Sequence, residues 1–297
     1  MIAIILVNYN GAADTIDCLR SLSKITKFNE PILKIVVDNK STDQSVSQLA
    51  SLQEELEFVL LCAKENKGFS AGNNLGIKYA IEKGADFFLL LNNDTVVDPN
   101  FLISLKRAFS FSKNCGASTG KILYYSEPTK IWYAGGSLNN ISGKTVHCHF
   151  DDFDSQSDEK ASCVSFASGC CMLLSKDLIN HIGLLNEKYF LYEEDVDFCY
   201  RITSSGYEIV YDPTAIIYHK VSSSTGRNSV MSQYYLVRNK FIFLKDSFRG
   251  KNVVSAFVFC LAQMAFRCLK GQLNVLIFFK ALVAFCCGES GKVDRKI

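Results

Sequence analysis

The sequence predicts an α/β fold with a central, mostly parallel sheet, followed by a C-terminal helical apolar segment. Three observations predict it. Apolar runs rich in branched residues recur, and helical patterns separate them. The first run, Ile2 to Val7, is apolar throughout instead of alternating, as in a strand covered on both faces. Three of the runs end in Asn/Asp clusters, and such sheets bind ligands beyond the carboxyl ends of their strands.

The elements follow in order. Ile2 to Val7 reads as a strand and not as a signal peptide, being short, without a basic lead or a cleavage site. It ends in Asn8-Tyr9-Asn10-Gly11, and a helical pattern follows from Asp14 through Ile16, Leu19 and Leu22. Ile32 to Val37 is the second strand, ending in Asp38-Asn39; Ser41-Thr42-Asp43 then caps a helix carrying Val46 and Leu49. Phe58 to Leu61 is a third strand, and Asp86 to Leu91 a fourth, ending in Asn92-Asn93-Asp94. The clusters at 8–10, 38–39 and 92–94 therefore meet along one edge. Taken singly, each is also ordinary turn chemistry.

Composition narrows the class. The chain has 297 residues, 48% hydrophobic and 21% charged, which is a folded chain with ample core. A net charge of +2 gives no case for nucleic acid. The charge is uneven: residues 245–297 hold nine Lys/Arg against three Asp/Glu, a net +6, so the rest sums to −4. The twelve cysteines form no Cys-x-x-Cys pair, and most sit in apolar runs; they read as small hydrophobes in a reducing compartment, without structural zinc. Neither a Gly-x-Gly-x-x-Gly turn nor a P-loop follows a strand, which argues against dinucleotide and P-loop chemistry.

Two stretches carry the strongest chemical signal. Asn66 to Gly76 is rich in Gly, Asn and small residues and runs into a helix. It reads either as a connector or as a loop of free N–H groups suited to a diphosphate, with Gly68 and Asn73 close to the ligand. The second is Tyr189-Phe190-Leu191-Tyr192-Glu193-Glu194-Asp195-Val196-Asp197. Aromatics lead into four carboxylates within five residues, and a helical face of Val196, Phe198, Cys199 and Ile202 follows. Acids suit a helix start, either as plain caps or with one of them held at a pocket edge as a general base. Asp94 at a strand end is a thin Mg²⁺ or Mn²⁺ site, since such ions take one or two carboxylates plus phosphate oxygens. Trp132, Gly135 and Gly136 suit a sugar wall, although a lone Trp also serves as core. Phe166 to Ser175 reads as an apolar strand interrupted by Gly169, where backbone can approach a sugar. Tyr207 to Tyr211 and Ala215 to His219 read as two further strands.

The order of these motifs resembles the family 2 glycosyltransferases of the GT-A fold, in their rhamnosyltransferase-like branch, which builds bacterial surface polysaccharides. The matching stretches are Val7 to Asn10, Val37 to Asp43, Asn66 to Gly76, Leu91 to Thr95, Tyr133 to Gly136, Ser168 to Leu174, Gly183 to Glu187 and the acidic run, across about residues 1 to 245. The resemblance implies a nucleotide-binding half at 1–115 and an acceptor half at 116–245. It implies that Asp38 meets a pyrimidine base, with Asn8, Tyr9, Asn66 and Asn73 beside the nucleotide. Asn92-Asn93-Asp94 stands where the family has Asp-x-Asp, so Asp94 holds the metal with one charge fewer than usual. Asp195 is the implied base and Glu194 the second choice, with Tyr192 in the acceptor pocket. His219 resembles the histidine that completes such metal sites; the other reading is a satisfied strand-end histidine. Arg227, in a polar lid over 222–227, and Arg238 are candidates for neutralising the leaving nucleotide.

The implied reaction is inverting transfer of rhamnose or a hexose from a dTDP- or UDP-linked donor to a saccharide or lipid-linked acceptor. Two other classes stay open: a catalytically dead nucleotide-sugar scaffold, and a sugar nucleotidyltransferase, although Asn8 to Gly11 lacks the Arg/Lys triphosphate loop of the latter. In region 246–297, Val253 to Phe266 and Val275 to Cys287 are apolar beside Arg267, Lys270 and Lys280, and each falls short of the ~20 residues of a span. They read as helices at a membrane interface, which would place the chain peripherally on the inner face of the cell membrane. The alternative is a hairpin packed on the core or on a second copy in a homodimer.

Overall fold

The computed structural model describes residues 1–25, 28–155, 160–221 and 229–293. In the first half, strands β1 (Ile2–Asn8), β2 (Ile32–Asp38), β3 (Phe58–Cys62) and β4 (Phe87–Asn92) alternate with helices α1 (Ala12–Leu22), α2 (Ser45–Ser51), α3 (Gln53–Leu56) and α4 (Phe69–Glu82). Then come β5 (Thr95–Val97), α5 (Phe101–Arg107), β6 (Cys115–Tyr124), β7 (Ile131–Tyr133), β8 (Gly136–Leu138), β9 (Thr145–His147), β10 (Ser162–Val164) and β11 (Cys171–Ser175). Helices α6 (Lys176–Ile182) and α7 (Glu194–Ser204), strand β12 (Glu208–His219), and helices α8 (Val230–Ser247), α9 (Lys251–Leu269) and α10 (Val275–Cys286) complete the chain.

The main sheet runs β10-β12-β6-β11-β4-β1-β2-β3, with β5 and β7 paired at its flank. Along this path only β11 and β10 oppose the common direction, so the expected mostly parallel sheet is present. β1 lies inside it, between β4 and β2: Ile2 through Leu6 are fully buried, which is why the run carries no polar alternation. The register sets Asn8 opposite Asp38, and Val7 opposite Asn92. The three Asn/Asp clusters thus share one edge. β11 enters antiparallel beside β4, Cys171 opposite Leu91, and brings Gly169 and Cys170 to that edge. β12 ends there too, His219 lying opposite Thr95 and Tyr124.

Several local readings change. The Gly-rich segment is mostly helix, because α4 begins at Phe69. Gly72 and Gly76 face the sheet and not a ligand: a Cβ on them would stand 2.8 Å from Val7 and 2.5 Å from Ile5. They are small so that α4 can lie close on β1. The run 166–175 is a turn followed by a short strand, and the two strands read at 207–219 are one strand with an irregularity between Asp212 and Ile216. The helix after Ser41-Thr42-Asp43 starts at Ser45, and Asp43 accepts from the Ser45 N–H. α9 continues past Arg267, so Asn252–Leu269 is long and apolar enough to cross a membrane by length and composition. The sequence reading stopped at Phe266 because a cation follows.

Candidate active site

The first cluster is a buried polar network. Asn8 donates to Asp38 Oδ2 at 2.8 Å and accepts from the Thr15 hydroxyl at 2.9 Å. Asp38 also accepts from the Ser41 N–H at 2.8 Å and the Ser41 hydroxyl at 2.6 Å. Asn8 is therefore spent on orienting Asp38, whose Oδ1 carries a single bond and has room for another donor. Tyr9 is 45% exposed on the rim of this edge.

The second cluster ties the Gly-rich turn down. The Asn66 side chain accepts from Asn39 and from the Gly68 N–H, both at 3.0 Å. Gly68 sits at φ +93°, and a Cβ there would lie 1.9 Å from the Phe190 carbonyl oxygen. That carbonyl accepts from the Phe69 N–H at 3.1 Å. The start of α4 is thus clamped to the aromatic lead of the acidic run, a contact only glycine permits. Asn73 turns back onto the Phe69 carbonyl within α4.

The third cluster faces β12. Asn93 donates to Thr15 at 2.9 Å, joining the Asn8 network. The Asn92 N–H reaches the Cys170 carbonyl at 2.9 Å. Asp94, 13% exposed at its side chain, stands 3.2 Å from His219 Nε2. His219 Nδ1 is buried without a partner among the described residues, and the ring meets Trp132 edge-on at 4.8 Å.

The acidic run separates its four carboxylates. Glu193 pairs with Lys240 at 3.0 Å, and Asp197 with Arg201 at 2.9 Å. Glu194 is buried, and its Oε2 has no partner among the described residues. Asp195 accepts from the Gly169 N–H at 3.0 Å and from its neighbour Val196 N–H at 2.8 Å. Burial pushes the Asp195 carboxyl above the usual range, with those two N–H groups opposing it. Burial, and then the Asp195 charge, push Glu194 well above its usual range. Tyr192 and Glu193 both take left-handed backbone, at φ 68° and 70°. Such strain persists only where the surroundings enforce it. Here Asn239 of α8 donates to the carbonyls of Leu191 and Tyr192 at 2.8 and 3.1 Å.

Gly169 and Cys170 join the two acidic positions, since Gly169 holds Asp195 and Cys170 holds Asn92, two residues before Asp94. A Cβ on Gly169 would meet Asp195 and Phe69 at about 3.5 Å. Asp195, Gly169, Asp94, His219 and Trp132 are therefore gathered at one edge, with Asp38 and Tyr9 farther along it. Arg238 is not: it is fully buried, stacks on Tyr235 and donates to the Gly291 carbonyl at 2.7 Å. Gly135 lines a separate cavity of about 470 Å³ with Tyr211, Cys148 and Lys160. Arg227 lies outside the described residues. Thr15, Ser41, Phe190 and Asn239 are further positioning residues. Ser41 was read only as part of a helix cap and Phe190 only as part of the aromatic lead; Asn239 left a trace as an amide among the apolar residues of α8, and Thr15 left none.

Among the described residues no three His, Cys, Asp or Glu side chains gather as a metal site. The Asp94–His219 spacing nevertheless fits one ion, because adjacent ligands on an octahedral Mg²⁺ lie about 3 Å apart. Phosphate oxygens and water would complete the shell.

Residues 3–183, more than half of the chain, match the family model for glycosyl transferase family 2. The chain is 26% identical over 252 residues to the low-salt glycan biosynthesis hexosyltransferase Agl10 of Haloferax volcanii, covering 81% of this chain and 74% of that protein. It is 23% identical over 252 residues to dTDP-rhamnosyl transferase RfbF of Shigella flexneri, with 82% and 79% covered. It is 24% identical over 269 residues to the N-acetylglucosaminyl-diphospho-decaprenol L-rhamnosyltransferase of Mycobacterium tuberculosis, with 84% and 86% covered. Among solved structures it resembles S. aureus TarS 1–349 in complex with UDP-GlcNAc, at TM-score 0.63 and 16% identity over 97% of this chain and 81% of that one. It also resembles the mannosyltransferase PcManGT of Pyrobaculum calidifontis in complex with GDP-Man and Mn²⁺, at TM-score 0.60 and 14% identity over 95% and 80%. The α/β fold expected from the sequence is the GT-A fold, and the chain belongs to the family 2 glycosyltransferases.

Proposed function

We propose that this glycosyltransferase moves rhamnose or a hexose from a dTDP- or UDP-linked donor to a hydroxyl of a saccharide or lipid-linked saccharide, with inversion. The observation that carries the mechanism is Asp195, held by the Gly169 N–H at the strand-end edge with its carboxyl raised by burial. A carboxyl raised in this way is a stronger base than a free one, which suits general-base work. Asp195 takes the acceptor hydroxyl proton as that oxygen attacks the anomeric carbon. The bond to the diphosphate breaks, and its electron pair leaves with the diphosphate. Glu193 and Asp197 are each paired with a cation, which leaves Asp195 as the base, with Glu194 buried next to it as the second choice.

Asp94 and His219 would hold Mg²⁺ or Mn²⁺, and such an ion supplies charge stabilisation to the departing diphosphate. The unpartnered His219 Nδ1 and the single carboxylate support a weak site that the donor diphosphate completes. Asp38, with its free Oδ1 lone pair, suits a base N–H, and Tyr9 suits the rim above it. Residues 1–115 serve as the nucleotide half and 116–245 as the acceptor half, with the protein peripheral on the inner face of the cell membrane.

A thermal-shift panel of dTDP- and UDP-sugars, with and without Mn²⁺, tests this reading. The native state is stabilised by whatever binds it, by about 2.7 kcal/mol at 100 times Kd. A rise in Tm for one nucleotide, larger with metal, is expected. No rise with any nucleotide would contradict the reading, and binding without turnover would point to a catalytically dead scaffold.

A further inference from the structure

Behind the acidic run lies a second cavity, of about 170 Å³, between α8, α9 and the start of β9. A water in the liquid takes ~30 Å³, so the space holds a group larger than one water. Its walls bring together Lys144, Lys240, Arg267 and Gln263, with Glu193 the one acid. Lys240 is engaged by Glu193 and by the Gly143 carbonyl at 2.6 Å. Lys144 and Arg267 make no side-chain hydrogen bond or ion pair among the described residues. The cavity therefore presents two uncommitted cations.

Position and surroundings narrow the ligand. Glu193 and Lys240, which line the cavity, both act on the charge of Asp195, so a group bound here lies within electrostatic range of the proposed base. The outer wall is α9, where Arg267 is flanked by Phe266 and Leu269, 55% and 87% exposed. A guanidinium in the cavity wall of a helix whose outer surface is exposed and apolar suits an anion that carries an apolar chain, with the head in the cavity and the chain along the helix.

We infer that this cavity binds the phosphate or diphosphate of a lipid-linked acceptor, placing the attached sugar at Asp195. The inference rests on the acceptor reading above. Lys144 and Arg267 hold the anion, Lys240 keeps Glu193 in place, and the apolar chain follows α9 into the bilayer.

The test uses the full chain and phosphatidylcholine vesicles bearing either a polyprenyl diphosphate or phosphatidylglycerol of equal total charge. Sedimentation reads binding, in metal-free buffer, with inorganic pyrophosphate as competitor. Expected are binding about tenfold tighter to the diphosphate vesicles, competition by pyrophosphate, and loss of that preference in Lys144→Gln/Arg267→Gln. Equal binding to both vesicles, binding to neither, or a preference unchanged in the double variant would overturn the inference. The first of these would mean that bulk lipid headgroups suffice. The donor-nucleotide thermal shift of the same proteins reports separately. Its loss in wild type sinks the transferase chemistry, and its retention in a variant without vesicle preference isolates the cavity.

Discussion

At the scale of single residues, protonation and positioning separate. Glu194 is buried and its folded-state pKa is raised by desolvation and by Asp195. The folded chain therefore binds that proton more tightly than the unfolded chain. The stability this contributes is present below the ordinary carboxylate range and is lost as pH rises through the raised value. Glu194→Gln is accordingly expected to raise Tm at neutral pH and to flatten its decline with pH, as a calorimetric pH series would read. Asp195 sets a limb in activity: transfer falls as pH drops through a pKa above the usual range near 4. A limb at or below that value would count against burial as the tuning force. Asn239→Ala removes the two donors that hold the left-handed turn at Tyr192 and Glu193. It should cost about 1–3 kcal/mol and lower kcat more than donor affinity. Asp195 was legible in the sequence because acids crowd a helix start behind aromatics. Thr15 was not, because one hydroxyl in a helix looks like any other, and Ser41 was read as a helix cap and not as a partner of Asp38.

Among elements, glycine decides two contacts of different kinds. Gly76 lets α4 lie on β1, and a methyl group there stands 2.5 Å from the fully buried Ile5. Gly76→Ala should therefore lose about 1–3 kcal/mol by overpacking in a denaturant titration, with donor binding intact in the folded fraction. Gly68→Ala combines that kind of clash with a φ of +93°. It breaks the clamp to Phe190 and should reduce transfer in protein that is still folded. The strand-end clusters were readable because strand direction and register follow from apolar runs. The Gly-rich segment was misread as an open loop because small residues serve close packing and ligand approach equally well. Only the third dimension distinguishes the two.

For the whole molecule, the C-terminal helices present an apolar exterior. Val258, Phe266, Leu269 and Leu276 are all more than half exposed, and about a sixth of the Asn252–Leu269 window is buried. Basic residues lie alongside, as the charge asymmetry between the last 53 residues and the rest of the chain had indicated. Leu269→Glu with Leu276→Glu should leave the unfolding free energy within about 0.5 kcal/mol of wild type, since neither side chain is packed. The same pair should release the protein from anionic vesicles. Unchanged vesicle binding, together with a dimer mass in wild type that becomes a monomer mass in the variant, would assign this surface to a second copy instead.

The most direct test is nucleotide release from a panel of dTDP- and UDP-sugars supplied with a lipid-linked saccharide, in wild type and Asp195→Asn. The variant keeps the shape and the Gly169 contact while removing the base. The expected result is turnover by wild type with one donor, and loss of at least ~100-fold in the variant with its nucleotide thermal shift retained. Full turnover by Asp195→Asn, with the fold intact, would contradict the assignment of Asp195 as the base.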